Sequence, residues 1–428
     1  MSDSTRQMIA RRKAALGSAY RLFYQNPVHI IRGEGVWLYD DEGRKYLDMY
    51  NNVPHVGHCH PRVVDAICAQ AGQLNTHTRY LHDNVIDYAE RLTAKFPDAL
   101  DTAMFCCTGS EANELALRIA RAVTGGDGII VTDSAYHGNT KATWEVSTED
   151  IPAADLPDYV VTVPSPDAYR GPYRRDDAAE RYAAHTRDAI AQLESRGIQP
   201  AAFLIDTIVS SGGVVAPPVG YLSNVAGIVR EAGALFIADE VQPGLGRTGR
   251  HFWGFESDSF EPDIVTMGKP MGNGHPLAAV VTRHDLVEQF SEKGHYFNTF
   301  GGNPVSCAAG LAVLDVIENE HLQDNALAVG QHLVEGLDDL ATRHDCIGDV
   351  RGSGLFLALE LVTDRETRDP ATELANRIIN DLREHGVLTS TIGPDNNILK
   401  LRPPMVLSAA DADLLMARLD AALQRTVA

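Results

Sequence analysis

Two apolar runs, each ending at a charged residue, constrain this chain more than any other feature. Residues 234–238 read Ala-Leu-Phe-Ile-Ala and stop at Asp239, and residues 264–267, Ile-Val-Thr-Met, lead through Gly268 to Lys269. A run with no polar face is the signature of a strand buried on both sides, as in parallel sheets covered by helices. Charge just beyond the carboxyl end of such a strand stands in the crevice where open α/β sheets bind their ligands.

The rest of the chain agrees with that placement. From about residue 60 to 310, apolar strands at 128–132, 201–208, 234–238, 264–267 and 278–282 alternate with amphipathic helical patterns. Such alternation predicts an α/β fold with a mainly parallel sheet covered by helices. Residues 35–49 read as a hairpin turning at 41–43. After a long helical stretch at 304–344, the pattern changes to strands at 355–362, 387–392 and 398–402 with helices at 371–385 and 408–424. A smaller α+β domain built from both termini is expected, with boundaries at 1–59, 60–325 and 326–428. The segment 151–177, rich in Pro, Tyr and Arg, reads as a surface excursion.

A carboxylate and an amine offered together at one sheet edge suit pyridoxal 5′-phosphate. The amine can form a Schiff base with the aldehyde, and the carboxylate can keep the pyridine nitrogen protonated so that the ring works as an electron sink. On Asp239 and Lys269 alone, a structural ion pair or two unrelated strand-end charges fits equally well.

At 428 residues the chain exceeds one compact core. Its net charge of −21 argues against nucleic acid and anionic membrane as partners. The six cysteines form no Cys-x-x-Cys pair, and the first twenty residues lack an apolar segment, so a cytoplasmic enzyme with reduced thiols is expected. In so acidic a chain, a site for an anion must concentrate positive charge locally. Thr108-Gly109-Ser110-Glu111 has the form of a helix capping box before an apolar helical face. A helix start with small residues presents free amides, the positive end of the dipole and two hydroxyls, which are the ingredients of an anion site. Tyr136-His137-Gly138 follows the next strand and brings an aromatic ring to the same rim, where it could stack on a flat heterocycle or simply pack. His55, His58 and His60 lie close together but without the partners a metal site needs, and read as structural.

Taken together, SEAN at 110–113, YHG at 136–138, ADEVQ at 238–242, GRTG at 246–249, GKPMGNGHP at 268–276 and TFGGNP at 299–304 resemble the class III aminotransferases among the fold-type I pyridoxal-phosphate enzymes, over nearly the whole chain. The resemblance implies that Lys269 is the Schiff-base lysine and Asp239 the pyridinium partner. It implies that Gln242 bonds the ring hydroxyl, Val241 packs beneath the ring and Tyr136 stacks above it. Gly109 and Ser110 would hold the cofactor phosphate, and Thr299 would reach the phosphate of a neighbouring subunit, making a homodimer with shared active sites.

Within the family, NNVPHVGHCHP at 51–61 and NNILKLRPPM at 396–405 are most similar to the phospho-lyase branch. Two departures from the transaminase pattern point the same way. Where transaminases of this class carry one arginine for the substrate carboxylate, this chain has Lys400 and then Arg402, which share a strand face at i and i+2. Paired cations suit a phosphate dianion better than one carboxylate, although a solvated strand face would look the same. Ser211 stands where the family's arginine-parking glutamate is found, so the switch between two kinds of amino donor is expected to be absent. The branch implies elimination of phosphate from a small phosphorylated amine, phosphoethanolamine first. The competing expectation is an ω-amine or amino acid:pyruvate aminotransferase.

Overall fold

The computed structural model describes residues 3–427. At its centre is a seven-stranded sheet in the spatial order Thr102–Cys106, Ala278–Thr282, Ile264–Met267, Leu235–Asp239, Pro200–Asp206, Gly128–Thr132, Val160–Val163. Ala278–Thr282 runs antiparallel to both of its neighbours, and the remaining pairs are parallel. The central strands are buried along their whole length, as their unbroken apolar sequences require.

Alternation along each strand divides the apolar side chains between two cores. Leu204, Ile237, Ile264 and Val280 face the helix Gly109–Thr124. Phe203, Phe236, Val265 and Val281 face the other side, where the helices Ala178–Ser195 and Tyr221–Glu231 lie. The sheet is therefore covered on both faces, and its strand ends are the places left open to a ligand.

Two smaller sheets join the chain's ends. Ile30–Glu34, Trp37–Asp40 and Lys45–Asp48 form an antiparallel ladder, and Lys45–Asp48 pairs in parallel with Val387–Leu388. A second sheet orders Ile347–Ser353, Phe356–Leu361, Ile398–Leu401 and Ser390–Ile392, all antiparallel. The stretch expected as one strand at 387–392 thus breaks at Thr389 and serves both sheets. Immediately after Leu401, the Arg402 amide donates to the Met49 carbonyl at 2.9 Å. Residues far apart in sequence, at the ends of strands from the two sheets, are held together there.

Three further elements differ from the sequence reading. Thr102–Cys106 is an edge strand that was not among the five read from the sequence. The segment 151–177 contains the outermost strand, Val160–Val163, whose four β-branched residues are flanked by the polar and proline-rich turns that hid them. The helical stretch 304–344 divides into Pro304–Asn319 and Leu322–Arg343 at His321, which has a φ of +51°. Gly330, inside the second helix, lies against the turn after Ile347–Ser353. A Cβ there would sit 2.3 Å from the Gly354 carbonyl oxygen, backbone that cannot yield. Gly330→Ala is expected to destabilise the protein by about 1–3 kcal/mol, the usual cost of overpacking a close contact, read as a lower midpoint in denaturant unfolding.

Candidate active site

Asp239 ends its strand almost fully buried, and an isolated carboxylate there would be costly. Three donors satisfy it. His137 Nδ1 lies 2.7 Å from Oδ2, Asn113 Nδ2 donates to the same oxygen at 2.8 Å, and the Val241 amide donates to Oδ1 at 3.0 Å. Asn113 also donates to the His137 carbonyl at 2.7 Å and accepts from Thr266 Oγ1 at 2.6 Å. The aspartate, the asparagine and the histidine come from a strand, a helix and a loop, so the carboxylate is fixed by the packing of all three. His137 Nε2 is buried with no partner among the described residues.

Ahead of this carboxylate the helix Gly109–Thr124 begins. Its capping box is formed as expected: Thr108 Oγ1 accepts from the Glu111 amide at 3.2 Å, and Glu111 Oε2 accepts from the Thr108 amide at 3.0 Å. Glu111 additionally takes the Cys107 amide at 2.8 Å, which tightens the turn out of the edge strand. Space at Gly109 is tight, since a Cβ would stand 3.0 Å from both Val241 methyls. Gly138, with φ of +145°, would bring a Cβ to 2.6 Å from Ser110 Oγ.

The resulting cavity, about 200 Å³, is lined by Gly109, Ser110, Asn113, Tyr136, His137, Gly138, Asp206, Asp239, Val241, Gln242 and Lys269. Seven of the eight positions assigned to the cofactor therefore line one space. Its form fits pyridoxal 5′-phosphate: an acid at one wall, an amine at another, a half-exposed tyrosine ring, and a helix start with hydroxyls for an anion. Larger surface grooves exist, such as one lined by Arg121, Lys141, Glu145 and Tyr159, but they lack this combination.

Lys269 is partly buried within the cavity. Burial, and then the positive charge of Arg402, lower its pKa, against the opposing pull of Asp239 and Asp206. Its amine is thus biased toward the neutral form that can accept a proton.

Lys400 and Arg402 do not form a solvated face; they are 3% and 6% exposed. Leu399 and Leu401 are buried on the opposite side, as the alternation predicts. The two cations converge on one atom: Lys400 Nζ lies 3.4 Å from Gln242 Oε1, and Arg402 Nη1 donates to the same oxygen. Arg402 Nε also donates to the Tyr50 carbonyl at 2.9 Å, and its guanidinium lies 4.7 Å from the Tyr50 ring centroid. Burial first, and the Arg402 charge second, push the Lys400 pKa well down. Arg247 of the GRTG motif is a third buried cation, with its pKa lowered to about 9 by burial and by Arg402. It donates to the Leu355 and Pro403 carbonyls at 3.0 and 2.7 Å and to His55 Nδ1 at 3.1 Å.

Thr299 lies elsewhere, exposed on the chain's surface and apart from the cavity residues. The three clustered histidines diverge: His55 Nε2 bonds the Leu245 carbonyl at 2.8 Å, His58 meets Asp48 at 2.7 Å and His60 meets Glu320 at 3.0 Å.

Several site residues were not singled out from sequence. Asn113 and His137 lie inside the SEAN and YHG motifs, yet nothing in their spacing shows that both reach Asp239. Asp206 ends its strand as Asp239 does and is its direct register partner, a signal that could have been read. Burial and the neighbouring Asp239 charge raise the Asp206 pKa. Burial raises the pKa of Glu149, against the opposing influence of the Ser211 side chain and the Lys400 charge, so a carboxylate from a distant segment stands near both.

A sequence model of the family described as Aminotransferase class-III matches residues 22–423. The chain belongs to the class III aminotransferases. It is 44% identical to an alanine–glyoxylate aminotransferase 2-like protein of Drosophila melanogaster, over 96% of this chain and 85% of that one. It is 42% identical to ethanolamine-phosphate phospho-lyase homolog 1 of Caenorhabditis elegans, over 94% and 90%. Among solved structures, a phospholyase from Arthrobacter in complex with phosphoethanolamine superposes with a TM-score of 0.94 at 45% identity, covering 97% of this chain and 99% of that one. The fold is that of the fold-type I enzymes, and the cofactor of this class III family member is pyridoxal 5′-phosphate. For a group as embedded as Asp239, the isosteric Asp239→Asn should lower kcat by roughly 10²–10³, the usual cost of losing one preorganised electrostatic contact, in steady-state assays at saturating cofactor.

Proposed function

We propose that this chain is a pyridoxal 5′-phosphate-dependent phospho-lyase that eliminates phosphate from a small phosphorylated amine, phosphoethanolamine in the first place. Acetaldehyde, ammonia and phosphate are the products after hydrolysis. The observation that carries this reading is the convergence of buried Lys400 and Arg402 on a single neutral oxygen next to Lys269. Two such cations suit a dianion, and the phosphoethanolamine complex of the similar phospholyase supports the same chemistry.

When bound, pyridoxal 5′-phosphate supplies an electron sink for the pair left as the substrate carbon next to nitrogen gives up its proton. The chain's residues do the rest. Lys269 Nζ, held toward its neutral form, accepts that proton. Asp239 stays oriented by its three donors and keeps a fixed negative charge at the far wall. Lys400 and Arg402 grip the phosphate and stabilise the charge that grows on it as the carbon–oxygen bond breaks. With a good leaving group beside the deprotonated carbon, elimination outruns the return of a proton that transamination needs, and no keto acid is consumed.

The second reading, an ω-amine or amino acid:pyruvate aminotransferase of class III, draws support from the Drosophila relative only in that this relative is named an aminotransferase. A cytoplasmic setting and a homodimer are part of the proposal. The six cysteines are free, and Leu81 and Phe300, 98% and 69% exposed, are suited to cover by a second copy that also brings Thr299 to a shared site.

Purified holoenzyme incubated with phosphoethanolamine and no keto acid should release inorganic phosphate and acetaldehyde in equal amounts. Retention of phosphate, with alanine formed only on adding pyruvate, would establish the aminotransferase reading instead. The pH dependence follows from Lys400. Its pKa is lowered in the free site, and a bound dianion raises it again, so at pH above the free-site value phosphate binding takes up a proton. Affinity for inorganic phosphate should therefore fall as pH rises through the pKa of free Lys400, and calorimetry in buffers of different ionisation enthalpy should report proton uptake.

A further inference from the structure

Behind the two phosphate-binding cations runs a chain of polar side chains in which every hydrogen bond has only one workable direction. At one end Lys400 and Arg402 are donors only, and both address Gln242 Oε1. The other end of the same amide, Gln242 Nε2, donates to Ser210 Oγ at 2.5 Å. Ser210 Oγ in turn donates to Asp206 Oδ2, which also accepts the Ser210 amide at 3.1 Å. Asp206 Oδ1 accepts the Ile208 amide at 3.1 Å, so the carboxylate is tied to the loop that carries Ser210. Ser210, Gln242 and Lys400 are all buried, so leaving one of these polar groups without a partner is costly.

An amide can be turned by half a revolution at little steric cost, and its two ends then exchange roles. A carboxylate at the far end prevents this. Asp206 takes the Ser210 hydroxyl and amide on Oδ2 and the Ile208 amide on Oδ1, so the Ser210 hydroxyl spends its hydrogen there and can only accept from Gln242. Gln242 must then present its nitrogen to Ser210 and its oxygen to the cations. Turned the other way, its N–H groups would face an ammonium and a guanidinium across a buried gap.

From this we infer that Asp206 and Ser210 are positioning residues for anion recognition: they lock the Gln242 amide so that its carbonyl oxygen gathers Lys400 and Arg402 around one point, the point a phosphate oxygen occupies when substrate binds. Like charges confined this closely repel, and without an oxygen between them they would separate. The role that a parking glutamate plays for one arginine is here filled by a neutral oxygen serving two cations. A neutral oxygen yields to a phosphate dianion where a carboxylate would compete with it. The inference rests on the phospho-lyase reading of the Lys400 and Arg402 pocket and assigns how that pocket is kept formed.

The test uses holoenzyme and two ligands, inorganic phosphate followed by calorimetry and phosphoethanolamine followed by phosphate release. Ser210→Ala removes the link, and Asp206→Asn keeps its shape while allowing a donor to face Ser210 and the chain to reverse. Each should weaken inorganic phosphate binding about tenfold and raise KM by a similar factor, with kcat within about twofold for Ser210→Ala, the scale of one lost hydrogen bond. Cofactor absorbance and circular dichroism serve as controls for occupancy and folding, and Ser210→Thr, which keeps the hydroxyl, should recover most of the loss. Wild-type phosphate affinity in both Ser210→Ala and Asp206→Asn would overturn the inference while leaving the lyase reading intact. A wild-type enzyme that neither binds nor releases phosphate would instead overturn the lyase reading, and this inference with it.

Discussion

The buried carboxylate of Asp239 is the contact on which the rest of the site depends. A charge so far from water survives only when its oxygens are filled by donors, and the donors come from three separate elements. Asn113 belongs to the helix whose first residues, Gly109 and Ser110, also line the cavity, so one packing arrangement sets both walls. Thr266, one strand over, orients Asn113 and is followed three residues later by Lys269. The helix, the loop at His137 and two strands are thereby kept in one relative position, and the distance between acid and amine follows from it.

A second constraint is the buried positive charge. Lys400, Arg402 and Arg247 are taken out of water and satisfied mostly by neutral oxygens, an arrangement that costs folding free energy. The fold offsets it by pairing the chain's two ends: the Lys45–Asp48 and Val387–Leu388 strands, then the Arg402 amide on the Met49 carbonyl. A pocket kept positive in a chain of net charge −21 concentrates attraction for an anion at one place. Burial, and then the Arg402 charge, depress the pKa of Lys400 and Lys269, and a dianion is favoured there because it relieves that repulsion.

Much of this was readable from the chain. The five core strands were legible because strands buried on both faces write themselves as uninterrupted apolar runs, and four of the five appear within one residue of the expected limits at each end. The capping box at Thr108 was equally plain, since it depends on residues three apart. Val160–Val163 was obscured because an edge strand needs only a few β-branched residues, and its proline-rich surroundings dominate the composition. The break at His321 left no trace, because a single left-handed residue between two amphipathic helices does not interrupt their apolar periodicity.

Asp239, Lys269, Gly109, Ser110, Tyr136, Val241 and Gln242 were readable as candidates that belong together, because motif and strand-end position are local properties of the sequence, and all seven line one cavity. Lys400 and Arg402 were visible as a pair by the two-residue repeat of a strand. That both are buried, and that they share the oxygen of Gln242, was decided only when two sheets distant in sequence were brought together. Likewise Asp206, Ser210 and Glu149 acquire their meaning from neighbours far along the chain. Local order is set by interactions between residues a few positions apart, which a sequence displays directly. The direction of a buried hydrogen bond and the pKa of a buried amine depend on what tertiary packing places around them, and that is decided by the whole fold.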